Sequence, residues 1–153
     1  MTVYALDTNI VTLLLKNDET VIDNASNATN DGHELVIPPI VDYEVRRGLL
    51  AKGMDKKLRE YLVFRQSVST GVINEAVWLK AADIYAKLNQ SGKNIDDADI
   101  LIASFCIVND YTLVTNNTRH FSWIDGLVIT DWKLDQNRPA DNTKNNAKDF
   151  SDT

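Results

Sequence analysis

Four short apolar runs limit what this chain can fold into. Val3-Tyr4-Ala5-Leu6, Glu34-Leu35-Val36-Ile37, Tyr111-Thr112-Leu113-Val114-Thr115 and Gly126-Leu127-Val128-Ile129-Thr130 are too short for core helices and are separated by stretches of helical length. Runs of this kind, with little polar alternation, fit strands covered on both faces. Alternating with helices, they predict an α/β fold of three layers, α/β/α, around a mostly parallel sheet.

The helical stretches are marked by their stops. Asp7-Thr8-Asn9 supplies N-caps before residues 10–15, and residues 18–30 place Val21, Ile22, Ala25 and Ala28 at helical spacing before Asp31-Gly32. Pro38-Pro39 ends the second strand and presets the first turn of a helix over 40–51, closed by Gly53. Residues 56–66 form an amphipathic helix with Leu58, Tyr61, Leu62 and Arg65 on one stripe, and 68–73 hold a further short strand. In 74–90, Val77, Ala81, Ile84, Tyr85 and Leu88 form a buried stripe opposite Lys80, Asp83 and Lys87. Residues 100–108 are apolar throughout and read as a core helix, too short to span a membrane.

Residues 1–132 therefore make one domain, and 133–153, rich in Asn, Asp, Lys and Ser, are expected to form a disordered tail. That tail carries four acids and four bases, so the net charge of -6 resides on the folded body. The single cysteine, Cys106, lies inside the apolar helix and has no partner for an intramolecular disulfide. With no basic, apolar leader at the N-terminus, a reducing cytoplasm is the expected compartment. An acidic total argues against generic nucleic-acid affinity, yet seven of the 16 basic residues fall between Glu44 and Arg65. They are Arg46, Arg47, Lys52, Lys56, Lys57, Arg59 and Arg65, and they read as a solvated helix face or as a basic patch.

The acids point to chemistry. Asp7 follows the first strand, Glu44 lies about one turn into the helix after Pro38-Pro39, Asp96, Asp97 and Asp99 open the apolar helix, and Asn116-Asn117 leaves the third strand. In parallel sheets ligands bind beyond the carboxyl ends of the strands, where all of these fall. Each acid has an ordinary explanation: Asp7, Asp96 and Asp99 as caps, and Glu44 as the partner of Arg47 at i+3. Brought together, however, such carboxylates repel, and a divalent cation resolves the repulsion. Only hard oxygen donors are on offer, with no Cys or His pair at zinc spacing, so Mg2+ or Mn2+ is the expected ion. His33 and His120 read as surface residues. A hydrated Mg2+ among carboxylates suits phosphodiester hydrolysis, whether with one ion or two.

These residues carry a resemblance. LDTN at 6–9, Glu44 after Pro-Pro, DILIAS at 99–104, LVTNNTRHF and GLVITDW stand in the order and spacing of the PIN-domain ribonucleases, specifically the VapC toxins of bacterial toxin–antitoxin modules. The resemblance covers residues 3–132. It implies that Asp7, Glu44 and Asp99 bind Mg2+ and, with Asn117, form the catalytic set. Where many PIN domains carry a fourth acid, Asn116 or Asn117 stands here, which weakens a second metal site; Asp96 is the substitute. Asn9, Thr115, Asn116, Arg46 and Arg47 are the expected substrate contacts. The resemblance further implies an RNA substrate, with the anticodon loop of initiator tRNA as the specific expectation, a homodimer, and a cognate antitoxin whose C-terminal segment occupies the groove. Two other readings stay open. One is an aspartyl-phosphate phosphatase with Asp7 as nucleophile, although Asn9 stands where such enzymes want an acid. The other is a catalytically degenerate domain that only binds RNA or protein.

Overall fold

The computed structural model describes residues 1–134. Its centre is a four-stranded, wholly parallel sheet in the order β2-β1-β3-β4. β1 (Val3–Leu6) lies between β2 (Glu34–Val36) and β3 (Thr112–Val114), and β4 (Val128–Thr130) closes the far edge. Ala5 is the register point, opposite Val36 on one side and Leu113 on the other. The four predicted strands are all present, β1 in full and the other three trimmed by a residue or two at their ends.

The fifth strand, expected in 68–73, shrinks to a single bridge between Ser69 and Val36. The reason is Gly71, which turns the chain at φ +74 and sits where an added Cβ would lie 3.0 Å from the Phe105 ring. Ladder pairing cannot continue through that conformation.

Helices cover both faces: α1 (Thr8–Leu15), α2 (Glu19–Asn30), α3 (Pro39–Ala51), α4 (Asp55–Gln66), α5 (Glu75–Gln90) and α6 (Asp97–Asn109), with a short α7 (Thr118–Phe121) before β4. This is the three-layer architecture read from the sequence, with α7 as the added piece. Local chemistry sets the ends. Asp18 and Asn74 accept the N3 amides of Val21 and Val77 at 3.1 and 3.2 Å, and Pro39 starts α3 with no amide to satisfy. Asp110 adopts the left-handed conformation (φ 58) that stops α6.

α5 buries Val77, Ala81, Ile84 and Leu88 against α6, but Tyr85 is 54% exposed, contrary to the predicted stripe. At 3.6 residues per turn Tyr85 stands about 70° away from the centre of the other four. Cys106 is fully buried, and burial pushes its thiol well above its usual range. Among the described residues no helix is long and apolar enough to cross a membrane.

The basic segment is largely spoken for. Tyr61 is fully buried in the α4 stripe, so its hydroxyl needs a partner, and it donates to Asp42 at 2.6 Å. Arg46 reaches the same carboxylate at 2.9 Å and Arg65 at 3.6 Å. Burial pushes the Asp42 carboxyl up, but the Tyr61 and Arg46 hydrogen bonds outweigh it and hold the group below its usual range. Lys57 pairs with Glu60 at 3.3 Å.

Near the N-terminus, Trp132 packs on Tyr4 with ring centroids 5.2 Å apart, and its carbonyl accepts from Asn24 at 2.9 Å. His33 is half-buried rather than a free surface group, because Nδ1 accepts the Thr2 amide at 3.0 Å and its ring meets Tyr4 edge-on. Lys133, the first residue of the expected tail, is held to α2 by an ion pair with Asp18. The remainder of that tail, from 135 onward, lies outside the described residues.

Strand order fixes where a ligand belongs. The chain leaves β1 for β2 on one side and returns to β3 on the other, so the carboxyl ends of β1 and β3 flank the topological switch point.

Candidate functional site

Asp7 and Thr115 occupy that switch point, one residue past β1 and β3 respectively. Thr115 is fully buried, and its hydroxyl donates to Asp7 Oδ2 at 2.7 Å while accepting the Asn117 amide at 3.0 Å. Asp7 Oδ1 accepts the Thr8 amide at 2.8 Å. The cap reading of Asp7 and the site reading are thus compatible: one oxygen starts α1, and the other is clamped across the sheet. Thr115 orients Asp7 and, being inaccessible, is not the substrate contact expected from the sequence.

A second clamp fixes Glu44. The Thr8 hydroxyl donates to Glu44 Oε1 at 2.9 Å, while Arg47 approaches Oε2 at 3.4 Å. The i+3 ion pair expected for Glu44 exists, but it engages only one oxygen. Thr8 therefore touches two of the three predicted acids, one through its amide and one through its hydroxyl. Sequence reasoning credited it only as a cap; its signal was its place directly after Asp7 at the end of β1.

Asp99 comes from the first turn of α6. Neither the Asp99 nor the Asp96 carboxylate accepts a hydrogen bond among the described residues; Asp96 meets the helix only through its carbonyl, which accepts the Ile100 amide at 3.0 Å. The reading of these two acids as side-chain caps fails accordingly. Burial, followed by the charges of Asp7, Glu44 and Asp96, pushes the Asp99 carboxyl up to about 6. Burial likewise raises Asp7, with Glu44 adding to it, against the opposing hydrogen bonds from Thr115 and Thr8.

Asp7, Glu44 and Asp99 line one cleft of about 460 Å3, together with Thr8, Asn9, Asn116 and Asn117. Thr12, Leu13 and Lys16 of α1 complete it, and of these Lys16 is a cation the sequence reading did not single out. Asn9 Oδ1 is buried without a hydrogen-bond partner. Asp96 is exposed and stays off the lining, acting on the cleft only through its charge on Asp99. Arg46 is drawn away to Asp42, and Arg47 stacks over Tyr43 at 5.2 Å while holding Glu44, so neither lines the cleft. His120, expected on the surface, is half-buried in α7 and close enough to Asp99 to favour its charged form. A larger cavity of about 600 Å3 between α2 and α4 has a mainly apolar lining with Glu34 as its only acid, so the chemistry belongs to the smaller cleft.

The donors fit a hard divalent cation: three carboxylates arrive from distant segments, burial and the neighbouring acids raise the proton affinities of Asp7 and Asp99, and an amide oxygen stands unpaired beside them. Among the described residues no three acid or imidazole side chains are gathered tightly enough to enclose an ion unaided. Mg2+ keeps several waters and commonly binds through one or two carboxylates plus substrate phosphate oxygens, so it does not require a closed cage of three acids.

Comparison with known proteins gives the family and the fold. The family model described as the PIN domain matches residues 4–127. The chain is similar to ribonuclease VapC1 of Haemophilus influenzae, 26% identical over 85% of this chain and 98% of that protein. It is also similar to the tRNA(fMet)-specific endonuclease VapC of Shigella flexneri, 27% identical over 84% of this chain and 97% of the relative. Among solved structures, VapBC2 from Rickettsia felis bound to a DNA fragment from its promoter superposes with a TM-score of 0.80 at 26% identity, covering 86% of this chain and 99% of the other.

Proposed function

Because this chain belongs to the PIN-domain family, we propose that it is a divalent-cation-dependent endoribonuclease and the toxin of a toxin–antitoxin pair. The observation that carries the reading is the convergence of Asp7, Glu44 and Asp99 on one cleft at the sheet's switch point. Those three would hold Mg2+ or Mn2+. When bound, such an ion lowers the pKa of a coordinated water and offsets charge developing on the phosphoryl oxygens. The chain's own residues supply the rest. Thr115 and the Thr8 amide fix both oxygens of Asp7, and the Thr8 hydroxyl fixes Glu44, so the acids present preset positions to the ligand. The amides of Asn9, Asn116 and Asn117 offer donors to phosphate or ribose, and Lys16 supplies the positive charge on the α1 side. With amides at 116 and 117 in place of a fourth acid, a single ion is the economical reading.

The same features weigh against the phosphatase alternative. Asp7 is 5% exposed with both oxygens hydrogen-bonded, a poor state for an attacking nucleophile, and Asn9 has no proton to give an alcohol leaving group. A binding-only role draws its support from Asn116 and Asn117, and activity decides it. We expect RNA hydrolysis to require Mg2+ or Mn2+, to stop with EDTA and to be absent in Asp7→Asn at unchanged fold. Wild-type cleavage rates in Asp7→Asn sink the metal assignment.

The substrate reading extends to tRNA, with the initiator anticodon loop as the specific suggestion, through the likeness to the Shigella endonuclease. A cognate antitoxin is the proposed partner, by analogy with the VapBC complexes. A homodimer draws support from Trp78, Leu79 and Tyr85, which leave an apolar face of α5 exposed. Action on tRNA would place the protein in the cytoplasm.

A further inference from the structure

Net charge makes RNA binding a problem for this protein, and the segment expected to solve it does not. Four of the seven basic residues between Glu44 and Arg65 are held by carboxylates: Arg46 and Arg65 by Asp42, Arg47 by Glu44 and Lys57 by Glu60. A separate hollow beside α5 is differently furnished. Lys93 stands 5.4 Å over the Trp123 ring, with no carboxylate partner among the described residues. On the same indole, His120 lies at 5.3 Å with its plane tilted by 43°. Lys80 and Lys87 share a hollow of about 240 Å3 with Lys93 and Trp123, against Asp83, which pairs with Lys87 at 3.1 Å, and Asp125.

Chain connectivity bounds the distance from this row to the acids. Lys93 is three residues before Asp96, at most about 11 Å of extended chain. α7, which carries His120, begins at the residue after Asn117 of the cleft lining. His120 is in ring contact with Trp123, and it is the smallest of the influences on the Asp99 carboxyl.

Resting on the nuclease reading, we infer that Trp123 and Lys93 form a single-stranded RNA subsite adjoining the acid cleft. A base stacks on the indole as the Lys93 ammonium swings from the ring to an adjacent phosphate. Lys93 is exposed, and an exposed cation–π contact is weaker than a base stacked on an aromatic ring, so the exchange is favourable. Duplex RNA buries its base faces and cannot use the platform.

The test uses the full chain in a cleavage-silenced Asp7→Asn background with Mg2+ present, and reads fluorescence anisotropy of a short labelled single-stranded RNA and of its duplex. The single strand is expected to bind more tightly. Trp123→Leu should weaken that binding about tenfold, and Trp123→Phe should recover most of it. Lys93→Gln should reduce the slope of log affinity against log salt by about 0.7. Melting temperatures check that each variant is folded. The subsite is overturned if Trp123→Leu binds like its parent, if Trp123→Phe is as weak as Trp123→Leu, or if the parent does not bind the single strand. The nuclease reading fails separately: binding that depends on Trp123 without cleavage by the native chain removes the nuclease and keeps the subsite. Native-like cleavage with binding indifferent to Trp123 does the reverse.

Discussion

Asp99→Asn is expected to abolish Mg2+-dependent RNA cleavage and, in the same protein, to raise the melting temperature measured without metal at pH 7. The carboxyl of Asp99 is pushed up to about 6 in the fold, first by burial and then by Asp7, Glu44 and Asp96, from an ordinary value of 3.8. A carboxyl whose proton affinity is higher folded than unfolded stabilises nothing above that range. The unfolded chain releases its proton near pH 4, the folded one only near pH 6, and across that window the native state loses stability as pH rises. At pH 7 the penalty is complete. An amide mimics the neutral acid and removes it. The same change deletes a ligand whose cation supplies several kcal/mol of transition-state stabilisation, so activity should fall by at least about a hundredfold. Mg2+ should stabilise the native protein most above pH 6 and stabilise Asp99→Asn little. Thermal melts with and without Mg2+ at pH 4.5 and 7, beside a cleavage assay, check both halves. A less stable but fully active Asp99→Asn contradicts the account.

Thr115→Val is the second large effect, and it acts through Asp7. The valine matches threonine in shape but removes the hydroxyl that donates to Asp7 Oδ2 and accepts the Asn117 amide. Leaving a buried carboxylate short of a donor costs about 1–3 kcal/mol, and the Asp7 carboxyl rises further because a bond that lowers it is gone. Partners of this kind, one bond behind a ligand, typically change metal affinity by about 10- to 100-fold. Calorimetric titration with Mn2+ should show that loss in Thr115→Val and much less in Thr115→Ser, which keeps the hydroxyl. Equal affinities in the two variants refute the clamp.

Much of this was legible in the sequence because local signals and tertiary demands agree. Asp18, Pro39 and Asn74 start helices by chemistry confined to one turn, and the strands are apolar runs bounded by polar breaks. Asp7, Glu44 and Asp99 were placed together by a topological rule about parallel sheets, and they do line one cleft. What stayed hidden depends on contacts between distant residues. Arg46 meets Asp42 at i+4, a pairing visible in the sequence, but nothing local says that Tyr61 and Arg65 of α4 converge on the same carboxylate. Tyr85 counts as apolar in any window, but its angle on α5 turns it to solvent. Thr115 reads as the last residue of a strand and as a substrate contact, and only pairing of β1 with β3 aims its hydroxyl at Asp7. His120 and Trp123 sit in a turn whose helix, α7, is a single turn long and shows no periodicity to find.

The central claim is that Asp7, Glu44 and Asp99 share one divalent ion, and anomalous scattering from a crystal grown in Mn2+ tests it most directly. The account predicts one manganese peak in the cleft, bounded by the carboxylates of Asp7 and Asp99 with Glu44 reaching it directly or through a water. A peak elsewhere, or Mn2+ at saturating concentration leaving the three carboxylates turned apart, contradicts it.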